Sequence, residues 1–102
     1  MREMYKILAL LKKYSGDESF DYALISASAM KMTYGAWEQL LIQMQSAGYI
    51  DGIVYTKTMT DKFPHIVEPI FPRITLKGIE YLEENSAMAK AKEALRMIGE
   101  II

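Results

Sequence analysis

The sequence predicts a small, mainly α fold with one β-hairpin, and three observations carry that expectation. Apolar residues recur at helical spacing in the segments before residue 50. Residues 52–74 change character, with β-branched and aromatic residues and all three prolines of the chain. Helical spacing then resumes to the end of the chain. At 102 residues this is one domain, 1–102. Its 51% hydrophobic and 25% charged residues suit a packed core rather than a disordered chain.

The first helix is expected over residues 2–14. Met1, Met4, Tyr5, Leu8 and Leu11 step by three and four along one face, with Ile7, Leu10 and Tyr14 beside or behind it. Gly16 in Ser15-Gly16-Asp17 supplies a C-terminal cap. A shorter second helix is expected over 20–29, capped by Ser19 or Asp21, with Phe20, Ala23, Leu24 and Ala27 as its apolar side.

The third helix, 34–47, has the clearest pattern. Thr33 is its N-cap, Trp37, Leu40, Leu41 and Met44 form its core stripe, and Gly48 is its left-handed terminator. Its other face carries Tyr34, Glu38, Gln39, Ile42, Gln43, Gln45 and Ser46. Ile42 lies off the core stripe and is expected at the surface, free to meet a partner.

A strand is expected over about 52–58, a loop over 60–65 and a return strand over 66–74, a hairpin of about 52–74. Pro69 and Pro72 cannot donate ladder hydrogen bonds, so the return strand is an edge strand of ragged register. Thr75 caps a helix over 76–84, in which Gly78 allows a close approach. A last helix is expected over 87–102. Its seam of Met88, Ala91, Leu95, Ile98 and Ile102 packs on helix 1 or across a two-fold axis, and a homodimer is the favoured reading.

Three helices followed by a two-stranded hairpin is the order of a winged helix-turn-helix, here with an extra C-terminal helix. The segment from about Thr33 onward resembles the YjcQ family of small bacterial and phage proteins. Gly48-Tyr49-Ile50-x-Gly52 and Thr75-Leu76-Lys77-Gly78-x-x-Tyr81-Leu82-x-Glu84-Asn85 carry the resemblance. It implies a winged helix, with the third helix as recognition helix and the hairpin as wing. It assigns no activity.

Function classes narrow quickly. Cysteine is absent, which excludes disulfides, thiolate zinc sites and cysteine nucleophiles. His65 is the single histidine, in a loop beside Pro64 with no second ligand near in sequence. No phosphate loop, triad order or metal spacing is present, so no catalytic residue, metal or cofactor is expected. The apolar run Ile7–Leu11 is too short for a signal peptide or membrane span, which predicts a cytoplasmic protein.

DNA is the leading expected partner. A recognition helix in the major groove would present Tyr34, Glu38, Gln39 and Gln43 to base edges. Lys31 and Thr33 would meet phosphate at its start, and Lys57, Lys62, His65 and Arg73 would add wing contacts. Against this stand a net charge of −1, from 12 basic and 13 acidic residues, and a third helix without Lys or Arg. The rival expectation is a winged helix that binds another protein. The plain alternative is that the glutamines of the outer face are simply solvated.

Overall fold

The structure is a computed structural model and describes residues 2–86. Helix α1 spans Arg2–Lys13 and helix α2 spans Tyr34–Ser46, with a four-residue 3-10 turn, Tyr22–Ile25, between them. Four two-residue strands follow: β1 (Ile50–Asp51), β2 (Tyr55–Thr56), β3 (His65–Ile66) and β4 (Arg73–Ile74). Residues 76–86 are helical and are called α3. The helix expected over 87–102, with its Met88, Ala91, Leu95, Ile98 and Ile102 seam, lies outside the described residues. The architecture is α+β, mainly helical, with a small antiparallel hairpin after α2, the layout of a winged helix.

The core gathers around α2. Trp37, Leu40, Leu41 and Met44 are buried, as their spacing predicts. From α1 come Ile7, Leu8 and Leu11, while Tyr5 turns outward, so the buried face of α1 is rotated toward Ile7 from the expected one. Ile25, Ile50, Ile53, Ile66 and Leu82 complete the cluster. Ile42 belongs to it too, only 6% exposed. That corrects the expectation of a surface residue, because α2 is covered on a second side by the hairpin.

The second helix is shorter than expected, and polar groups at its two ends explain why. Asp21 caps its start by accepting from the Ala23 N–H at 2.9 Å. The Ile25 carbonyl, which a continuing helix would offer to its own backbone, instead accepts from the Trp37 indole N–H at 2.7 Å in the buried core. Ser26 then turns extended, and its hydroxyl accepts from the Ala29 N–H. A serine that bonds the nearby backbone in this way competes with the helix ladder.

The hairpin is two short ladders rather than two continuous strands. β1 pairs with β4 in the register Ile50↔Ile74 and Asp51↔Arg73. β2 pairs with β3 in the register Tyr55↔Ile66 and Thr56↔His65, prolonged by the Val67 N–H to the Val54 carbonyl at 2.8 Å. Between the ladders, residues 52–54 on the outgoing side face residues 67–72 on the return side. The surplus on the return side includes Pro69 and Pro72, which cannot donate to a ladder.

Gly48 ends α2 with φ +91°, and the Tyr49 N–H reaches back to the Met44 carbonyl at 2.9 Å, a Schellman-type closure. Thr75 caps α3, its hydroxyl accepting from the Gly78 N–H at 3.1 Å and donating to the Gly48 carbonyl. Lys77 donates to the Ala47 carbonyl at 2.7 Å. The start of α3 is therefore sewn to the end of α2.

Gly78 is what lets these two ends meet. A Cβ there would strike the Tyr49 carbonyl oxygen and lie 2.7 Å from Cγ1 of Ile74. Gly78→Ala is expected to cost about 1–3 kcal/mol, the usual range for overpacking a tight site. Urea unfolding followed by the fluorescence of Trp37 measures this, and a midpoint equal to wild type would contradict the close approach.

Candidate functional site

Helix α2 holds the hairpin through polar side chains aimed at main-chain atoms. Glu38 is 3% exposed. Its Oε2 accepts from the Ile66 N–H at 2.9 Å, and its Oε1 lies 2.9 Å from Nδ1 of His65. Next in sequence, Gln39 donates to the Pro64 carbonyl at 2.9 Å. Farther along, the Gln45 amide donates to the Ile53 carbonyl at 2.8 Å and accepts from the Ile53 N–H at 2.7 Å.

The strand register explains these partners. Because the Val67 N–H donates to the Val54 carbonyl, Tyr55 and Ile66 form a pair whose own N–H and C=O groups point away from each other. The outward N–H of Ile66 would be orphaned at the edge of β3, and Glu38 satisfies it. Ile53 also turns its main chain away from β3, and Gln45 supplies both a donor and an acceptor, as a neighbouring strand would.

Several of the residues expected to read DNA are thereby committed inside the protein. Glu38 and His65 are bonded to each other, and Gln39 is half-buried against the loop before β3. Tyr34 is exposed, and its hydroxyl donates to Glu68 at 3.5 Å. Partial burial, with the Glu68 and Glu38 carboxylates nearby, pushes the Tyr34 hydroxyl above its ordinary pKa. Thr33 caps α2 by accepting from the Ala36 N–H at 3.3 Å. Arg73 sits on β4, at the far ladder, paired with Asp51 at 3.1 Å. Lys31, Gln43, Lys57 and Lys62 are exposed. The exposed residues of α2 are uncharged: Tyr34, Gly35, Ala36, Gln43 and Ser46.

What the sequence reading missed lies on the hairpin itself. Val54 is 63% exposed and its cross-strand partner Val67 is 45% exposed, while Ile53 and Ile66 beside them are buried. Met59 is fully exposed and Phe63 is 59% exposed at the tip. The tip is a built turn. The Asp61 N–H donates to the Thr58 carbonyl at 3.1 Å, and the Asp61 carboxylate accepts from the Thr58 N–H at 3.0 Å. A signal was present in the alternation of residues 53–54 and 66–67, where both the inward and the outward position is apolar.

A cleft of about 530 Å³ opens at the opposite end of the hairpin. Tyr14, Phe20 and Tyr22 line it beside the Asp51–Arg73 pair. Phe20 stacks on Tyr14 at 5.0 Å and meets Tyr22 edge-on at 4.9 Å, and Tyr22 meets Phe71 at 5.6 Å. These rings hold the segment after α1 against the hairpin. Among the described residues, no three His, Asp or Glu side chains stand together as metal ligands, and no helix is long and apolar enough to cross a membrane.

A three-helix core with a hairpin wing latched to its central helix defines a protein of winged-helix layout. Within that class, the family model described as YjcQ protein matches residues 5–101, and the chain belongs to the YjcQ family. No curated protein and no solved structure matches it.

Two measurements check the latch and the turn at the tip. Glu38→Ala leaves the Ile66 N–H unmet in a buried place and is expected to cost about 1–3 kcal/mol, whereas Glu38→Gln, which keeps an acceptor, costs less. Equal urea midpoints for the two variants would show that Glu38 is not the strand-edge acceptor. At the tip, the Thr58 N–H holds the Asp61 carboxyl below its ordinary pKa, helped by the Thr58 side chain, His65 and Lys57. A depressed carboxylate contributes stability above its unfolded pKa and loses it as pH falls through the lower folded value. The turn is therefore expected to hold at neutral pH and to open on acidification below the usual Asp range. The Thr58 amide proton shift reports this, and Asp61→Asn is expected to abolish the acid step.

Proposed function

We propose that this protein is a protein-binding winged helix whose contact surface is the outer side of the hairpin. The observation that carries the reading is the outward apolar set of Val54, Met59, Phe63 and Val67 on a hairpin anchored to α2. Apolar area contributes roughly 25 cal/mol per Å² when it leaves water, so such side chains favour a partner. Anchoring reduces the ordering that binding would otherwise require. Lys57 and Lys62 flank the set. The complementary partner is an apolar protein surface with an acidic rim.

Duplex DNA is the second reading, favoured by the exposure of the same two lysines. It loses support at α2, where Glu38 and Gln39 are engaged with the hairpin. It predicts salt-sensitive duplex binding that Lys57→Ala with Lys62→Ala removes. Ile42→Asp does not distinguish the readings, because Ile42 is core and a buried carboxylate there is expected to destabilise the fold whatever the partner.

A photo-crosslinking residue placed at Phe63 tests the first reading in the protein's native cells, with the same group at the exposed Glu83 as control. A discrete protein adduct is expected from position 63 alone, and it is lost with Val54→Asp. No adduct at 63, or the same adducts from 83, would refute a wing contact.

A further inference from the structure

We infer that the outer face of α1 is a second binding surface, which takes the phosphate backbone of a nucleic-acid duplex. This goes beyond the wing reading and stands without it. Arg2, Lys6 and Lys13 are all exposed and are separated by four and seven residues. At 100° per residue they fall within an arc of about 40°, directly opposite the buried Ile7, Leu8 and Leu11. Ala9 lies in the same row, and Lys12 and Tyr5 flank it. The single acid of α1, Glu3, lies off this row, toward the side of Leu10.

The arrangement is unfavourable for the isolated helix. Arg2 stands in the first turn, where the macrodipole favours acids. Arg2 and Lys6 are like charges at i,i+4, which destabilise a helix by a few tenths of a kcal/mol. Lys12 and Lys13 have an ordinary explanation, since cations suit the last turn. Arg2 and Lys6 have none inside the fold: among the described residues neither enters an ion pair. Lys13 rests over the Tyr14 ring at 5.4 Å, which leaves its charge outward.

The row is straight and rigid, and from Arg2 to Lys13 it runs eleven residues, about 16 Å of helix axis. Each strand of a duplex presents a negative charge about every 3.4 Å along its axis, so phosphates are available along the whole row. A lipid surface fits less well. The apolar face of α1 is already spent on the core, so the helix cannot seat itself among acyl chains. The contact carries no sequence information, because no base-reading side chain lies on the row.

Fluorescence polarisation with a labelled mixed-sequence duplex tests this at 50 and 200 mM salt. Three phosphate contacts give a slope of about −2.7 in log affinity against log salt, so wild-type affinity is expected to fall roughly 40-fold over that range. Lys6→Gln with Lys13→Gln leaves one contact, a slope of about −0.9 and a fall of only about 3- to 4-fold. Lys57→Gln with Lys62→Gln is expected to keep the wild-type slope. All these residues are exposed, and circular dichroism confirms that each variant is folded. The inference is overturned if wild type fails to bind duplex at tens of micromolar in 50 mM salt. It is also overturned if the α1 variant keeps the full slope, if the wing variant alone loses it, or if anionic vesicles are bound and duplex is not. None of these outcomes bears on the Phe63 crosslink, so the two surfaces stand or fall separately.

Discussion

The main chain of the hairpin depends on the side chains of one helix. Each ladder is only two residue pairs long, and a hairpin of that size is not stable alone. Glu38, Gln39 and Gln45 supply the missing edge, meeting Ile66, Pro64 and Ile53 through their backbone atoms. The burial of Ile42, Ile53 and Ile66 accompanies these bonds, because the polar contacts bring the apolar neighbours together. The second side of α2 is thus an interior surface, built from residues that look solvent-facing when the helix is read alone.

That distinction sets what was legible. The stripe of Trp37, Leu40, Leu41 and Met44 announced the core of α2, and Thr33, Gly48 and Thr75 announced helix ends, because caps and periodicity are local properties. The family resemblance through Gly48-Tyr49-Ile50 and the segment from Thr75 gave the layout. Glu38, Ile42 and Gln45 were misplaced for a different reason. Their burial is decided by a hairpin up to 28 residues away, and a charged residue is rarely placed in a core without knowing its partner. The second helix failed for a similar non-local reason. An indole twelve positions later takes the carbonyl that its next turn needed.

The same geometry redistributes functional expectations. The front of α2 is uncharged where it is exposed, and Glu38, Gln39 and Gln45 serve the fold. Outward chemistry is concentrated instead on the hairpin, which is apolar with lysines, and on α1, which is basic. These surfaces sit on separate elements and differ in kind, so each can be altered while the other is kept. The near-zero net charge conceals the basic character of α1, which carries Arg2, Lys6, Lys12 and Lys13 against the single acid Glu3.

The choice of main-chain atoms as anchors has a consequence for divergence. A bond to the N–H of Ile66 or to the carbonyl of Pro64 or Ile53 is indifferent to neighbouring outward side chains. Residues 54, 59, 63 and 67 can therefore change identity while every α2 anchor to the hairpin stays in place. A lineage that drifts at these four positions keeps its scaffold and changes the surface it shows to others. New recognition can then arise by ordinary point substitution, without any loop insertion or rearrangement of the core.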